Sequence, residues 1–233
     1  MNSRQQRIMQ QVIYLHQTTA EPVGSLALSE CGKFRISGAT LRNELADLEQ
    51  EGFLCKPHTS AGRVPTLKSY IWYIDTVKHG TLPTKEEQRT FDVLRAVNRD
   101  EFRYCRELAK HLADTSGEGV FVAFGPYSTF YTGLTNLFSK PELYEASRSA
   151  TLSQALDKLN DILEVLMHKA PSPEKVEVIM GEESPFGKDF GALMVRFTRG
   201  EIKDGVIGIL GLLRMDWEKN MGLMKYVREM LSN

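Results

Sequence analysis

Little in this chain belongs to the usual machinery of catalysis or redox chemistry. Its three cysteines, Cys31, Cys55 and Cys105, are scattered and odd in number, with no C-x-x-C spacing. That excludes a disulfide scaffold and points to a reduced, cytoplasmic setting. The five histidines, at positions 16, 58, 79, 111 and 168, are isolated, and none has a second ligand at metal spacing. No metal and no cofactor is therefore expected. A P-loop, H-E-x-x-H and G-x-S-x-G are all missing, as is any nucleophile–base constellation, so an enzyme is the least expected class. Gly205, Gly208 and Gly211 are spaced by three in an apolar run, miss the dinucleotide fingerprint and read as close-packing positions. Glu182 and Glu183 could form an acid–base pair, but their Gly/Ser/Pro-rich surroundings read as a solvated turn. No apolar run approaches the ~20 residues needed to span a bilayer. The N-terminal stretch has no signal-type apolar core, so no membrane partner is expected. Net charge is also nearly absent, at −1. Up to Gly80, nine basic residues face seven acidic ones, a balance of +2 that leaves −3 for the rest. Internal repeats and low-complexity segments are missing too, which leaves one or two ordinary globular domains.

Against these absences stands residues 34–66, a stretch that reads as a helix followed by a hairpin. Ser37 is placed to cap the helix by accepting a backbone N–H. Leu41, Leu45 and Leu48 recur at i, i+4 and i+7 and form one apolar face. Gly52 stands where a left-handed residue would end the helix. Short extended pieces follow at 53–56 and 63–65. The loop between them, Pro57-His58-Thr59-Ser60-Ala61-Gly62, is small and polar, so it must face water or a partner. At about 100° per residue, Ala39, Arg42, Asn43 and Ala46 point away from the leucines, with Thr40 at the margin. Arg and Asn are the side chains that bond bidentately to guanine and adenine edges. Acids gather later, at Glu44, Asp47, Glu49 and Glu51, which suits a helix whose N-terminal half meets phosphates. The same pattern also describes an ordinary amphipathic helix with a solvated face, and the helix alone does not separate the two readings.

In chain order, residues 4–18 predict a first helix with Ile8, Val12 and Leu15 inward and Met9 and Ile13 widening the stripe. Ser25 is expected to cap a short second helix, 26–31, with Leu28 inward and Gly32 ending it. Three helices with a short turn before the third, then a hairpin, are the parts of a winged helix-turn-helix. Thr66 is expected to cap a fourth helix, 67–78, seated by Tyr70, Ile71 and Ile74. Residues 79–84 form the best linker candidate. A long helix from 84 or 85 to 114 follows, with Phe91, Leu94, Phe102, Cys105, Ala109 and Leu112 near a spacing of 3.5 and Asn98 in the same seam. It reads either as a dimer coiled coil or as a helix lying on its own domain. Strands are expected at 120–124, closed by Gly125-Pro126, and at 130–132, 176–180, 193–198 and 205–210. A helix from 151 or 153 is lined by Leu152, Leu156, Leu159, Leu163 and Leu166 and closed by Pro171 and Pro173, and a last helix spans 217–231. The second part is thus an α+β domain.

Three motifs carry a resemblance: Glu21-Pro22-Val23-Gly24-Ser25, Ala39-Thr40-Leu41-Arg42-Asn43-Glu44-Leu45-Ala46-Asp47-Leu48-Glu49, and Pro57-His58-Thr59-Ser60-Ala61-Gly62-Arg63-Val64-Pro65-Thr66. In nearly unbroken order through Asp75 they resemble the HrcA family of bacterial heat-inducible transcription repressors. Tyr131-Thr132-Gly133-Leu134-Thr135-Asn136-Leu137, Ile179-Met180-Gly181-Glu182-Glu183-Ser184-Pro185 and Arg214-Met215-Asp216-Trp217 are similar to further family motifs. The resemblance implies an α+β fold with an N-terminal winged helix-turn-helix, residues 1–80, followed by a GAF-like dimerisation and regulatory domain, 84–233. Family members usually run about a hundred residues longer, set against typical domain size. The shortfall lies between Leu112 and Phe130, where the family has more GAF-like strands and an inserted dimerising domain. Gly211-Leu212-Leu213 also replaces the family's Gly-Pro-Thr, so the second domain is read as reduced.

What the resemblance implies for function is a repressor of heat-shock (chaperone) genes. It would act as a homodimer on a double-stranded inverted-repeat operator called CIRCE, with the chaperonin GroEL promoting the active form. Carried onto this chain, Ala39, Thr40, Arg42 and Asn43 would enter the major groove, and Ser25 and Ser37 would hold phosphates. His58, Thr59, Ser60 and Arg63 would place the hairpin on the backbone or in the minor groove. Two further classes stay open: a ligand-gated regulator with a small-molecule-binding GAF-like domain, and a winged-helix protein-interaction module.

Overall fold

The computed structural model describes residues 1–97, 100–125, 128–169, 175–181 and 184–232, excepting the side chains of 167–169. Asn98, Pro126, Pro171, Pro173, Glu182 and Glu183 lie outside the described residues. The chain divides into two compact units, Met1–Val77 and Lys78–Asn233.

In the first unit, α1 (Ser3–Thr19) starts at Asn2, whose side chain accepts from the N–H groups of Arg4 and Gln5 while the Gln5 side chain accepts from the Asn2 N–H. Ile8, Met9, Val12 and Ile13 are fully buried. α2 (Ser25–Glu30) buries Leu28, and α3 (Gly38–Gln50) buries Leu41, Leu45 and Leu48. Each buried leucine contributes roughly 1.5–3 kcal/mol. Helices this short need that packing, because alone in water they are marginal. β1 (Leu54–Cys55) and β2 (Val64–Pro65) pair antiparallel, Leu54 opposite Pro65 and Cys55 opposite Val64. α4 (Leu67–Thr76) follows.

Three local expectations are corrected here. Ser25 is the first residue of α2, not its cap: Gly24 holds the cap position and no side chain caps that helix. Thr66 does hold the cap position of α4, but its hydroxyl donates to the carbonyls of Gly52 (2.8 Å) and Phe53 (3.1 Å), fastening the helix start to the hairpin rather than capping the helix. Ile71 is exposed, and Tyr73 is buried with Tyr70 and Ile74. Ser69, also buried, donates to the Phe53 carbonyl, and 69, 70, 73 and 74 together define the inward face at helical spacing.

The second unit contains α5 (Lys85–Val97), α6 (Glu101–Ser116), β3 (Gly119–Ala123), β4 (Thr129–Thr132), α7 (Leu134–Phe138), a 3-10 turn (Pro141–Tyr144), α8 (Ala146–Asp157), α9 (Leu159–Lys169), β5 (Glu177–Met180), β6 (Phe190–Arg199), β7 (Ile202–Leu212) and α10 (Trp217–Ser232). Five strands form one antiparallel sheet in the order β4-β3-β7-β6-β5. Every residue of β3 is buried, which requires cover on both faces. On one face Phe121, Met194 and Leu210 pack with Leu137, Leu152 and Leu163 of α7, α8 and α9. Gly191 points the opposite way from its neighbour Ala192, and the Trp217 ring of α10 fills the space beside it. The three spaced glycines are close-packing positions, as read from the sequence. A Cβ at Gly205 or Gly208 would strike the ring of Phe197 or Phe121, and one at Gly211 would strike Glu118 and the Met215 sulphur. No helix among the described residues is long and apolar enough to cross a membrane.

The single long helix expected to reach residue 114 is two. The Asp100 carboxylate accepts the Arg103 N–H at 2.7 Å and starts α6 afresh. Phe91, Cys105, Ala109 and Leu112 of the expected seam are buried within the unit, which favours a helix pair lying on its own domain. The leucine-lined helix starts at Ala146 and breaks at Lys158. α7 and the 3-10 turn are short elements that no periodicity in the sequence marks. The expected linker is strapped down instead of loose: Lys225 Nζ donates to the carbonyls of Lys78 (2.6 Å) and His79 (3.2 Å), and Thr81 N–H donates to the Glu218 carbonyl at 3.1 Å.

Glu118 is 4% exposed, with Oε1 3.1 Å from Lys140 Nζ and no hydrogen-bond partner for Oε2 among the described residues. Burial pushes its carboxyl up to about 7, with Lys140 pulling the other way. The folded state then holds this proton more tightly than the unfolded chain. Its stabilising contribution is full below the ordinary carboxylate range and lost as pH rises through 7. Urea unfolding from about pH 4.5 to pH 8 should show a loss on the order of 3 kcal/mol from this group. Glu118→Gln should flatten that slope, and an unchanged slope would remove Glu118 as its source.

Candidate nucleic-acid interface

The start of α3 is built by two hydroxyls. Ser37 Oγ accepts the Thr40 N–H at 3.1 Å and lies 2.9 Å from Thr40 Oγ1. This satisfies one of the free N–H groups at the helix start and leaves the others directed outward. Along the same helix Ala39, Arg42, Asn43 and Ala46 are exposed, and Thr40 is half-buried. Arg42 and Asn43 make no side-chain hydrogen bond or ion pair among the described residues. The buried leucines on the opposite face fix the rotation of the helix, so this face presents its donors to solvent.

Two of the three acids of the same helix, and the one just past it, are neutralised from within the unit, while Asp47 stays exposed. Glu44 takes Arg4 at 3.1 Å, Glu49 takes Arg63 at 2.7 Å and Lys56 at 3.8 Å, and Glu51, just past the helix, lies 3.7 Å from the N-terminal amine. The field at Arg42 and Asn43 is correspondingly less negative than the sequence count implies.

The hairpin is held at its base and open at its tip. Arg63 exchanges both backbone hydrogen bonds with Val23, at 2.8 and 2.9 Å, and its Nε donates to Glu49. Its side chain is 11% exposed. Gly62 lies so close to the Pro22–Val23 backbone that a Cβ would come within 2.7 Å of the Pro22 carbonyl oxygen. Lys68 Nζ donates to the Glu51 carbonyl at 2.7 Å and sits 4.3 Å from the Phe53 ring centroid. Beyond this base, Pro57, His58, Thr59 and Ser60 are all exposed, in a turn closed by the Ala61 N–H donating to the His58 carbonyl at 3.0 Å.

The ten residues singled out from the sequence therefore fall into distinct places. Ala39, Arg42 and Asn43 share the exposed face of α3. Ser37 and Thr40 meet at its start, and His58, Thr59 and Ser60 share the hairpin tip. Ser25 is half-buried in the first turn of α2. Arg63 is turned inward on Glu49. Val23, Glu49 and Gly62 hold the arrangement together, and the sequence reading did not single them out. Glu49 stood only as one acid in a run, and nothing local marks a partner 14 positions along the chain. Among the described residues no group of three His, Cys, Asp or Glu could hold a metal ion. The surface offers exposed donors of the kind that bond base edges and phosphates.

The family described as HrcA protein C terminal domain matches residues 82–221. A relative named Heat-inducible transcription repressor HrcA, from Acetivibrio thermocellus, is 45% identical over 87 residues, covering 37% of this chain and 25% of that protein. One of the same name from Halalkalibacterium halodurans is 34% identical over 141 residues, covering 60% of this chain and 41% of that protein. Against these two, the chain spans only about a quarter to two-fifths of the relative's length. A third of that name, from Caldanaerobacter subterraneus subsp. tengcongensis, aligns with the whole chain and 96% of its own length at 25% identity. A crystal structure described as a hypothetical protein at 2.2 Å resolution has the same fold. Its TM-score is 0.73 at 16% identity, over 100% of this chain and 96% of that one.

The Glu49–Arg63 pair lies between an exposed and a buried ion pair. A double-mutant cycle with Glu49→Gln and Arg63→Gln, read by urea unfolding, should give a coupling of roughly 1–2 kcal/mol, between the limits for those two cases. A coupling near zero would mean that the backbone bridge to Val23 alone holds the hairpin.

Proposed function

The chain belongs to the HrcA family, and from that premise we propose that it is a DNA-binding repressor of heat-shock (chaperone) genes. The observation that carries the reading is the exposed, uncommitted pair Arg42 and Asn43 on a helix whose other face is locked by buried leucines. In this reading the first unit is a winged helix-turn-helix, with α2 and α3 as its two helices and the hairpin as its wing. α3 enters the major groove, where Arg42 and Asn43 bond base edges and Ala39 and Thr40 pack beside them.

Phosphates flank the groove. Ser37 Oγ accepts the Thr40 N–H and shares a hydroxyl hydrogen bond with Thr40 Oγ1, which leaves one hydroxyl proton of the pair for a phosphate oxygen at a helix start that favours anions. Ser25 offers a second hydroxyl in the first turn of α2. His58, Thr59 and Ser60 bring the wing tip to the backbone or minor groove, and Arg63 acts by positioning that wing through Glu49. An inverted repeat such as CIRCE presents the same bases twice about a two-fold axis, which asks for a homodimer with one α3 per half-site.

The second unit is then the reduced GAF-like regulatory and dimerising half, in a cytoplasmic protein, with the chaperonin GroEL as its activating partner. The apolar cavity lined by Val120, Phe121, Tyr131, Leu137 and Leu159 has a volume of about 10 Å³, room for one water at most, so this cavity does not hold a small-molecule effector.

Arg42→Ala tests the reading. Titrated against duplexes with single-base changes in the inverted repeat, it should lose roughly 1–3 kcal/mol and relax specificity at one position per half-site. Retention of both affinity and specificity would remove α3 as the reading helix.

A further inference from the structure

A second basic feature of the first unit takes no part in the arrangement described so far. Arg4, Arg7, Lys33, Phe34, Arg35 and Ile36 line an open cleft of about 410 Å³. Arg4 and Arg7 are three apart on the first turns of α1, so they share a face. Lys33 and Arg35 come from the turn that runs directly into Ser37, the cap of α3. All four side chains are exposed, while Phe34 and Ile36 are half-buried between them. No acid lines the cleft. Glu44 reaches only Arg4, and neither Arg7 nor Arg35 forms an ion pair among the described residues. Lys33 Nζ rests 5.2 Å from the Tyr14 ring centroid, which steadies the ammonium without cancelling its charge.

Apart from the Arg4–Glu44 pair and the Lys33–Tyr14 contact, these like charges around one opening repel one another and form no ion pair within the unit among the described residues. A cleft lined by one sign of charge does focus a field on an incoming anion. Its apolar floor and open form suit a sugar–phosphate strand, and its position at the entry to α3 sets it beside the bases that helix would read.

We propose that the cleft formed by Arg4, Arg7, Lys33 and Arg35 is a backbone clamp that grips the phosphates of duplex DNA next to the bases read by α3. This rests on the reading of α3 as the DNA-reading helix. The clamp supplies affinity and register, and Arg42 and Asn43 supply the choice of sequence.

The test uses the full chain and two duplexes of equal length, one carrying the inverted repeat and one scrambled, titrated from about 50 to 200 mM salt. Lys33→Gln with Arg35→Gln should lower the slope of log affinity against log salt by about 1.8, at roughly 0.9 per phosphate contact. Both duplexes should weaken by the same factor, roughly tenfold or more, leaving their ratio unchanged. Arg7→Gln, on a separate element, should lower the slope by about 0.9. If the unaltered chain binds the repeat and both variants keep its slope and affinity, the clamp is refuted while the DNA reading stands. A loss confined to the repeat would make the cleft a base-reading surface and also overturn the proposal. If the unaltered chain binds neither duplex, the reading of α3 falls and the clamp falls with it.

Discussion

Arg63, just before β2, reaches Glu49 near the end of α3, and the place of the hairpin depends on that reach. A ladder of two residues on each side has little stability of its own. Its base is held by the Arg63–Glu49 ion pair, by the reciprocal backbone bonds to Val23 and by the absence of a side chain at Gly62. The hairpin is thereby fastened both to the helix that carries Arg42 and Asn43 and to the bend that leads into α2.

Pairing of this kind also offsets the acidity of α3, which the proposed contact with a polyanion requires. α3 and the residue after it carry Glu44, Asp47, Glu49 and Glu51, yet three of these are met by cations of the same unit. The charges that remain uncommitted include Arg42 on the helix and Arg7 and Arg35 around the cleft beside it. The near-neutral composition of the chain conceals this separation, because it sums groups that are paired with groups that are not.

Much of this could be read in the sequence because it is local. Ser37, the leucine spacing and Gly52 set the bounds of α3, and the strands 120–124, 130–132, 176–180 and 205–210 fall on β3, β4, β5 and β7. What escaped was set by partners distant in sequence or by competition between neighbouring signals. Asp100 restarts a helix in the middle of the seam that Asn98 interrupts, and the cap outweighs the period. Thr66 and Ser25 have the residue type of a cap, but the Thr66 hydroxyl finds better acceptors in the Gly52 and Phe53 carbonyls and Gly24 takes the turn ahead of Ser25. Residues 79–84 have the composition of a linker, yet α10 binds their backbone through Lys225 and Glu218. The inward turn of Arg63 is of the same kind: its motif is conspicuous in the sequence, but its partner is on another element.

The central claim is that the exposed face of α3 lies in the major groove while the fastened hairpin follows the backbone. Paired footprinting of one complex tests it most directly, with dimethyl sulfate reading guanine N7 in the major groove and hydroxyl radicals reading the sugar–phosphate backbone. The account predicts N7 protection at two symmetry-related half-sites roughly ten base pairs or a multiple apart. In Arg42→Ala that protection should vanish, with the backbone footprint kept. Backbone protection with no N7 signal, or an N7 signal indifferent to Arg42→Ala, would contradict it.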